Sequence, residues 1–209
     1  MHILGLTGGI ASGKTTIART LREEGIHVID LDDIAHQVTK KGHWGYRRLV
    51  SAFGKEAILR EEDEQIDRQK VADLVFNDKA LRSKLNRATH IPIAVALVKE
   101  ILGAWLRLNA LVVLDAPLLF ESKLDKICSS TLVVACDPET QLKRLLERDK
   151  CSSEHAKARI KSQMPLEEKR KRGDVVVDSS GSKEALLDKA KDLAHVLKKK
   201  KGLFTWLWK

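Results

Sequence analysis

One eight-residue motif near the amino terminus limits the fold of this chain more than any other feature. Residues 8–15 read Gly-Gly-Ile-Ala-Ser-Gly-Lys-Thr and match the pattern G-x-x-x-x-G-K-[ST] at every fixed position. The apolar run 3–7 before the motif predicts a strand, and the pattern from about residue 14 to 24 predicts a helix. A strand, a glycine loop and a helix in this order place backbone N–H groups and a helix N-terminus around a phosphate group. The motif therefore predicts an α/β fold that binds a nucleotide.

Four more short apolar runs predict further strands of the same sheet. They are residues 28–30, 111–114, 132–136 and 175–177. Short aliphatic and β-branched runs are typical of strands that are buried on both faces of a parallel sheet. About 80 residues separate the second run from the third, and they carry helical patterns, notably at 93–108. This length exceeds a plain crossover, so we expect a five-stranded parallel sheet with an inserted helical lobe.

The region after the fourth strand is also expected to be helical. Asp137 followed by Pro138 is a typical helix start, with an N-cap residue and a proline in the first turn. Residues 148–172 are rich in charge and poor in apolar side chains, which predicts a mobile, solvated helical segment rather than core.

The charge balance indicates an anionic partner. The formal net charge is +9, which leaves nucleic acid, a membrane surface and a phosphorylated metabolite open. Only 4% of residues are aromatic, and they are not interleaved with basic residues as in proteins that stack bases, so we expect no nucleic-acid partner. Three cysteines without CxxC spacing fit a reducing compartment, and the chain opens without a secretory signal. We therefore expect a cytoplasmic protein. The longest unbroken apolar runs are far shorter than the ~20 residues of a membrane-spanning helix.

The motif and three nearby acids supply candidates for phosphoryl-transfer chemistry. Lys14 is placed to reach the β- and γ-phosphates, and the Thr15 hydroxyl to hold Mg²⁺. Asp30 and Asp32 leave the second strand at the edge where ligands bind in open α/β sheets. Either acid can serve as a base toward an attacking hydroxyl or position the metal, but an Asx turn or an N-cap role is equally compatible with the residues. Asp115, at the end of the third strand, has the same two readings.

Basic residues of the charged segment are a second group of candidates. Arg144 and Arg148 lie four residues apart on one predicted helical face, and Arg159 and Lys161 follow. Such cations neutralise charge on a transferring phosphoryl group. The alternative is a solvated helix whose arginines pair with Glu147, Asp149 and Glu154. His90 is either a substrate contact or an ordinary residue at a helix start.

Several blocks of this sequence resemble the dephospho-CoA kinase family. The resemblance covers roughly residues 1–195 in order. Its most specific parts are the blocks Asp115-Ala116-Pro117-Leu118-Leu119-Phe120-Glu121 and Arg159-Ile160-Lys161-Ser162-Gln163-Met164-Pro165-Leu166-Glu167-Glu168-Lys169. It is also carried by Leu6-Thr7-Gly8-Gly9-Ile10-Ala11-Ser12-Gly13-Lys14-Thr15, by Val28-Ile29-Asp30-Leu31-Asp32-Asp33-Ile34-Ala35 and by Asp174-Val175-Val176-Val177-Asp178. Other small-molecule or nucleoside kinases with a phosphate loop lack the Pro-Leu-Leu-Phe-Glu block. A regulatory nucleotide-binding module would not need an acid at Asp32 or an arginine-rich segment.

The resemblance implies a P-loop kinase that uses ATP and Mg²⁺ to phosphorylate the ribose 3′-hydroxyl of dephospho-coenzyme A, the last step of coenzyme A synthesis. It implies a core at about 1–38, 109–147 and 173–195, a helical substrate lobe at about 39–108 and a lid at about 148–172. The implied catalytic residues are Lys14, Asp32 and Arg148. The implied nucleotide contacts are Gly8, Gly9, Ile10, Ala11, Ser12, Gly13, Lys14, Thr15, Thr16, Arg144, Arg148 and Arg159. The implied substrate contacts are Thr7, Asp32, Thr89, His90, Leu118, Phe120 and Glu121, and the implied metal ligands are Thr15 and Asp115.

The sequence departs from the family pattern in three respects, and one segment lies outside it. His36 stands where an arginine is usual, and Ile91 separates His90 from Pro92 where the family has His-Pro. Ser179 and Gly173 replace the commoner Asn and Ala near the last strand, and we expect these changes to be tolerated. The tail 196–209 contains four consecutive lysines followed by Phe204, Trp206 and Trp208. It predicts peripheral contact with an anionic membrane surface or, as the alternative, aromatic side chains folded back onto the core. The sequence leaves the oligomeric state open, with a monomer as the expectation.

Overall fold

Five strands form one sheet in the order β2-β3-β1-β4-β5, and the computed structural model describes residues 1–76 and 78–199. Strand β1 pairs in parallel with β3 on one side and with β4 on the other, and β5 pairs in parallel with β4. The strands are β1 His2–Gly8, β2 His27–Asp30, β3 Leu111–Asp115, β4 Ser130–Ala135 and β5 Val175–Asp178. All five predicted strands and the parallel α/β fold class are thus confirmed. Strands β3 and β4 are buried along their whole length, as expected of central strands in a sheet covered on both faces.

Ten α-helices lie between or after these strands along the described part of the chain. They are α1 Lys14–Glu23, α2 Leu31–Val38, α3 Trp44–Phe53, α4 Lys55–Ile58, α5 Arg68–Phe76, α6 Lys79–Leu106, α7 Pro138–Asp149, α8 Ser153–Lys161, α9 Leu166–Arg172 and α10 Lys183–Lys199, with a short 3-10 helix at Leu124–Ile127. The predicted start of α7 is confirmed, because Asp137 accepts a hydrogen bond from the Thr140 N–H at 2.7 Å and Pro138 is the first helical residue.

The chain divides into two compact units. The first contains Met1–Ile29 and the residues from Ala104 onward, and its core packs the apolar faces of α1 and α10 against the sheet. The second is Asp30–Gly103, where the sequence analysis expected a helical lobe at 39–108. Its own core is a small cluster formed by Leu49, Ile58, Leu59, Val71 and Ala88.

Helix α6 continues through a proline because an arginine from another helix replaces the lost hydrogen bond. Pro92 has no N–H to donate to the Ala88 carbonyl, as an interior helical residue normally does. The Arg48 Nε donates to that carbonyl at 2.9 Å, and its Nη2 donates to the Arg87 carbonyl at 3.1 Å. The alternative in which His90 begins a helix is therefore wrong, since His90 lies in the middle of α6.

Helix α6 also bears on the expectation that no apolar stretch of this chain is long enough to cross a membrane. Helix α6 is long and apolar enough to cross a membrane, and only 17% of its most apolar window is buried. Two charged residues, Lys99 and Glu100, interrupt the apolar sequence there, so a search for unbroken runs passes over it. Its exposed apolar residues include Ile91, Val95 and Val98. Helices of soluble proteins also meet the criteria of length and composition, so these criteria alone assign no membrane segment.

The charged segment 148–172 is helical as predicted, but it is not solvated throughout. Met164 and Leu166 pack against a cluster of Phe120, Val133 and Ala135 on the sheet. Lys169 is fully buried. The expectation of a segment without core contacts is therefore wrong for its second half, because Met164 and Leu166 pack on the sheet and the side chain of Lys169 is buried.

Candidate active site

The phosphate loop runs from the end of β1 to the start of α1 and depends on its glycines. Gly13 caps α1 with φ of +84°, a conformation that L side chains rarely adopt. At Gly8, a Cβ atom would lie 2.5 Å from the Val134 carbonyl oxygen, closer than real contacts allow. The glycines thus let the backbone turn tightly against β4 and then enter the helix. The first-turn N–H groups of α1 face the position of a bound phosphate in such loops.

Side chains that are distant in sequence hold this loop. The Gln141 amide donates to the Ile10 carbonyl at 2.9 Å, and the Gln163 side-chain oxygen accepts from the Ile10 N–H at 3.1 Å. The Ser179 hydroxyl lies 2.7 Å from the Ser12 carbonyl oxygen. The sequence analysis did not select these residues as loop contacts. Gln163 belongs to one of the family-like blocks, which was the only available signal.

The phosphate lysine is joined to the strand-end acid. Lys14 Nζ donates to a carboxylate oxygen of Asp115, and both side chains are largely buried, at 14% and 4% exposure. A charged hydrogen bond in such surroundings is stronger than one at the surface. The structure therefore brings together two residues that are 101 positions apart in the chain and that sequence analysis had selected separately.

Two expected substrate contacts, Thr7 and Phe120, are buried. Thr7 is completely buried, and its hydroxyl donates to the Pro117 carbonyl at 3.1 Å. Phe120 is 5% exposed and belongs to the cluster that packs under α9. Neither side chain has much exposed surface, so a direct contact of either with substrate stays a prediction. Leu118, in contrast, is 47% exposed.

Glu121 is engaged by a lysine that the sequence analysis did not select as a site residue. Its Oε1 lies 3.0 Å from Lys169 Nζ and accepts the Met164 N–H at 3.0 Å. Burial works to raise the pKa of Glu121, but the hydrogen bonds from Lys169 and from backbone N–H groups outweigh it and hold the pKa below its ordinary value. Glu121 is therefore ionised at neutral pH and serves at least partly to hold Lys169.

The candidate arginines converge on one acid. Arg148 donates to both carboxylate oxygens of Asp149, at 2.7 and 3.2 Å, and Arg159 donates to the second of them. The hydrogen bond from Arg148 is the largest effect that lowers the pKa of Asp149, to about 2. Arg144 instead donates to the Gly181 carbonyl at 2.8 Å. Pairing with Asp149, which the sequence analysis gave as the alternative, is what the structure shows for Arg148 and Arg159.

The acids after β2 divide their roles within the second unit. Asp30 is the N-cap of α2, and its Oδ1 accepts from the Asp32 and Asp33 N–H groups at 3.0 and 3.1 Å. The N-cap alternative is thus confirmed for Asp30. Asp32 lies in the first turn of α2 with an exposed side chain.

Thr89 and His90 lie on α6 and differ in exposure. The Thr89 hydroxyl donates to the Leu85 carbonyl of its own helix at 3.0 Å. His90 is exposed. Of the two residues, His90 therefore offers the more accessible side chain.

A basic cavity of about 410 Å³ lies in the second unit and was not foreseen from the sequence. Its lining includes His36, Lys40, Arg60 and Arg68, with Asp67 as its one acid. The Asp67 carboxylate caps α5 by accepting from the Gln69 and Lys70 N–H groups, both at 3.0 Å. Arg68 donates to Thr39 at 3.1 Å, and Arg60 pairs with Asp63 at 2.8 Å. The cationic lining suits an anionic ligand.

Comparison with known proteins agrees with the sequence blocks and the loop geometry. The sequence profile described as CoaE, dephospho-CoA kinase, matches residues 2–184. A dephospho-CoA kinase of Arabidopsis thaliana is 45% identical over 186 residues, which cover 89% of this chain and 79% of the relative. A dephospho-CoA kinase of Bacillus thuringiensis is 43% identical over 204 residues, with 94% and 96% of the two chains covered.

Solved structures show the same fold over nearly the whole chain. The protein TT1252 from Thermus thermophilus superposes with a TM-score of 0.78 at 36% identity and covers 95% of this chain and 97% of its own. A dephospho-CoA kinase from Campylobacter jejuni has a TM-score of 0.62 at 26% identity, with 96% and 97% covered. With the phosphate loop, the lysine–aspartate pair and these matches together, the chain belongs to the dephospho-CoA kinase family.

Proposed function

We propose residue roles for the reaction of this family, the ATP-dependent phosphorylation of the ribose 3′-hydroxyl of dephospho-CoA to coenzyme A and ADP. The observation that supports them best is the junction of phosphate loop and strand-end acid, the Lys14–Asp115 pair. Phosphoryl transfer needs little covalent chemistry from a protein, and catalysis comes from positioning and charge stabilisation. Lys14 supplies a cation at the phosphates, and the residues from Gly8 to Thr16 hold the triphosphate through backbone N–H groups and the N-terminus of α1.

The residues at the end of β3 and the start of α1 fit a magnesium ion. Mg²⁺ takes oxygen ligands and usually binds through one or two protein groups together with substrate phosphates. The Thr15 hydroxyl is exposed at the N-terminus of α1, and the Asp115 carboxylate ends β3, so both donor atoms are of the preferred kind. Thr15 and Asp115 would hold the ion, which when bound neutralises phosphate charge.

The acceptor hydroxyl needs a base, and the arginines stabilise the charge that develops. We assign the base to Asp32, whose exposed carboxylate can accept the 3′-hydroxyl proton as the oxygen attacks the γ-phosphorus. Arg148 and Arg159, which belong to the lid segment 148–172, then bind phosphate oxygens of ATP. To do so, Arg148 and Arg159 would exchange the Asp149 carboxylate for phosphate oxygens of ATP. Arg144, four residues before Arg148 on α7, is assigned to the same nucleotide.

For the dephospho-CoA side, the proposal rests on exposure and charge. Leu118 and His90 have accessible side chains that can contact the substrate. Thr89 and Glu121 contribute indirectly, because Thr89 bonds to the backbone of α6 and Glu121 bonds to Lys169 and to the Met164 N–H. The basic cavity of the second unit suits the diphosphate of dephospho-CoA. Its lining carries the cationic side chains of Lys40, Arg60 and Arg68, whose charge complements that of the diphosphate.

We infer that the enzyme acts as a cytoplasmic monomer. Its substrates are small molecules, and no nucleic-acid partner is implied. Contact of the tail with a membrane surface stays a prediction, because residues 200–209 lie outside the described residues.

Substitution of Asp32 tests this assignment most directly. Asp32→Asn removes the base while keeping shape, so we expect kcat to fall about 10²- to 10⁴-fold with ATP binding preserved. Asp33→Asn is the matched control, because Asp33 is the adjacent exposed carboxylate in the same first turn of α2. The experiment measures kcat for coenzyme A formation and the Kd for ATP in both variants. Equal effects of the two substitutions, or loss of ATP binding in Asp32→Asn, would contradict the role of Asp32 as base.

A further inference from the structure

We propose that Lys169 is a positioning residue that holds the phosphate loop against the segment after β3 and joins both to the lid helix α9. Lys169 has no exposed surface, although lysine is among the residues least often buried completely. Its position is therefore maintained by specific interactions rather than by packing alone. Lys171, two residues further along the same helix, is exposed.

The ammonium group is fully engaged. Lys169 Nζ lies 2.8 Å from the Pro117 carbonyl oxygen, 3.0 Å from Glu121 Oε1 and 3.5 Å from the Gly8 carbonyl oxygen. An ammonium has three N–H donors, so these three acceptors use its whole capacity. Two of the acceptors are backbone groups, which makes the contact sensitive to where the main chain runs.

Those backbone groups belong to the two segments that carry the reaction. Gly8 is the first residue of the phosphate loop, and Pro117 lies two residues after Asp115, the partner of Lys14. A shift of either segment would change the distance between the loop and that acid. Lys169 spans them from α9, so the position of a lid helix and the position of the phosphate-binding backbone are coupled through one side chain.

The start of the same short segment makes a second attachment to the loop. Gln163 accepts from the Ile10 N–H at 3.1 Å, and the Met164 N–H donates to Glu121. Residues 163–169 therefore contact the loop at Ile10 through Gln163 and at Gly8 through Lys169. Two contacts at opposite ends of this seven-residue segment restrict the loop more than one contact would.

Stability alone does not account for a lysine at this position. Buried ion pairs are often replaced by apolar residues of similar volume at no cost in stability, whereas an apolar side chain cannot bind carbonyl oxygens. Methionine would fill the space left by Lys169 but would hold neither Gly8 nor Pro117. This difference separates positioning from packing in an experiment.

The test compares Lys169→Met with Lys171→Met, which makes the same change at an exposed position of the same helix. We expect Lys169→Met to lower kcat about 10- to 100-fold and to speed hydrogen exchange in residues 8–13, while Lys171→Met stays within about twofold. Assays are run at a temperature well below the Tm of each variant. A folded Lys169→Met protein with kcat within twofold and unchanged exchange in the loop would overturn the proposal, whatever its Tm.

Lys169→Gln provides a second variant if the methionine variant does not fold. Its amide keeps two N–H donors for the carbonyl oxygens but removes the charge, so we expect an intermediate kcat. Glu121→Gln keeps the acceptor for the Met164 N–H and should lose less than Lys169→Met. If Glu121→Gln instead lowered kcat as much as Lys169→Met, the ion pair with Glu121 would be the important contact, and not the hydrogen bonds to the Gly8 and Pro117 carbonyls. The proposal would then be wrong.

Discussion

The phosphate loop and the arginines of the lid segment both consist of cations beside a carboxylate, but their surroundings differ. Lys14 and Asp115 lie inside the first unit at 14% and 4% exposure. Arg148 and Arg159 meet Asp149 nearer the surface, at 54% and 37% exposure for the arginines. A buried pair is held by its surroundings, whereas a surface pair is screened by water and exchanges partners readily. We therefore expect Lys14 to stay in place and Arg148 and Arg159 to be able to move to a ligand.

Removal of the loop cation is expected to have the largest effect in this comparison. Lys14→Ala deletes a charge at the transferring phosphoryl group, so kcat should fall by about 10²-fold or more, equivalent to about 3 kcal/mol. Arg19→Ala is a control on the same helix, because Arg19 is exposed and faces Glu23. Steady-state kinetics with ATP and dephospho-CoA measure both. Near-normal turnover in a folded Lys14→Ala protein would mean that the buried pair is structural.

Removal of one lid arginine is expected to lower kcat less, since Arg148 and Arg159 act together and one remains when the other is removed. Arg159→Ala should lower kcat about tenfold and leave the Tm nearly unchanged, because partly exposed pairs contribute little to stability. Arg172→Ala is the matched control, as Arg172 also pairs with a carboxylate, Glu168, in the same segment. If both variants lost activity equally, a general loss of positive charge rather than a placed arginine would be responsible.

The smallest effect concerns pH. The pKa of Asp149 is lowered to about 2, so its contribution to folding is complete above its ordinary value near 4 and is lost only as the pH falls through about 2. The acid therefore stays ionised throughout pH 5–9. We expect the ratio of wild-type to Asp149→Asn activity to be constant over that range. A ratio that titrates within it would show that the carboxylate gains or loses its proton during turnover.

Local features of the sequence predicted the strands and the loop because their causes are local. The glycines of the phosphate loop, the alternation of apolar runs with helices and the Asp137-Pro138 start each depend on residues within a few positions. The sequence predicted the burial of individual side chains less well. Thr7 and Phe120 adjoin site motifs and yet are buried, because what covers a side chain depends on segments far away in the chain.

Helix α6 illustrates the same limit. Proline inside a helix is normally a stop signal, so the sequence indicated a helix only from residue 93. The compensating donor, Arg48, comes from α3, and no local pattern predicts that its guanidinium reaches the freed Ala88 carbonyl.

The amino-acid sequence by itself determined the parallel sheet, the phosphate loop and its chemistry, because turn conformations and hydrophobic periodicity follow from neighbouring residues. Only the tertiary structure decided that Lys14 meets Asp115, that Gln141 and Gln163 hold Ile10, and that a lysine in a highly charged segment is buried. Most buried polar groups need matched donors and acceptors. Here those partners are supplied by β1, by β3 and the segment after it, by α7 and by the turn before α9, which become neighbours only once the chain has folded.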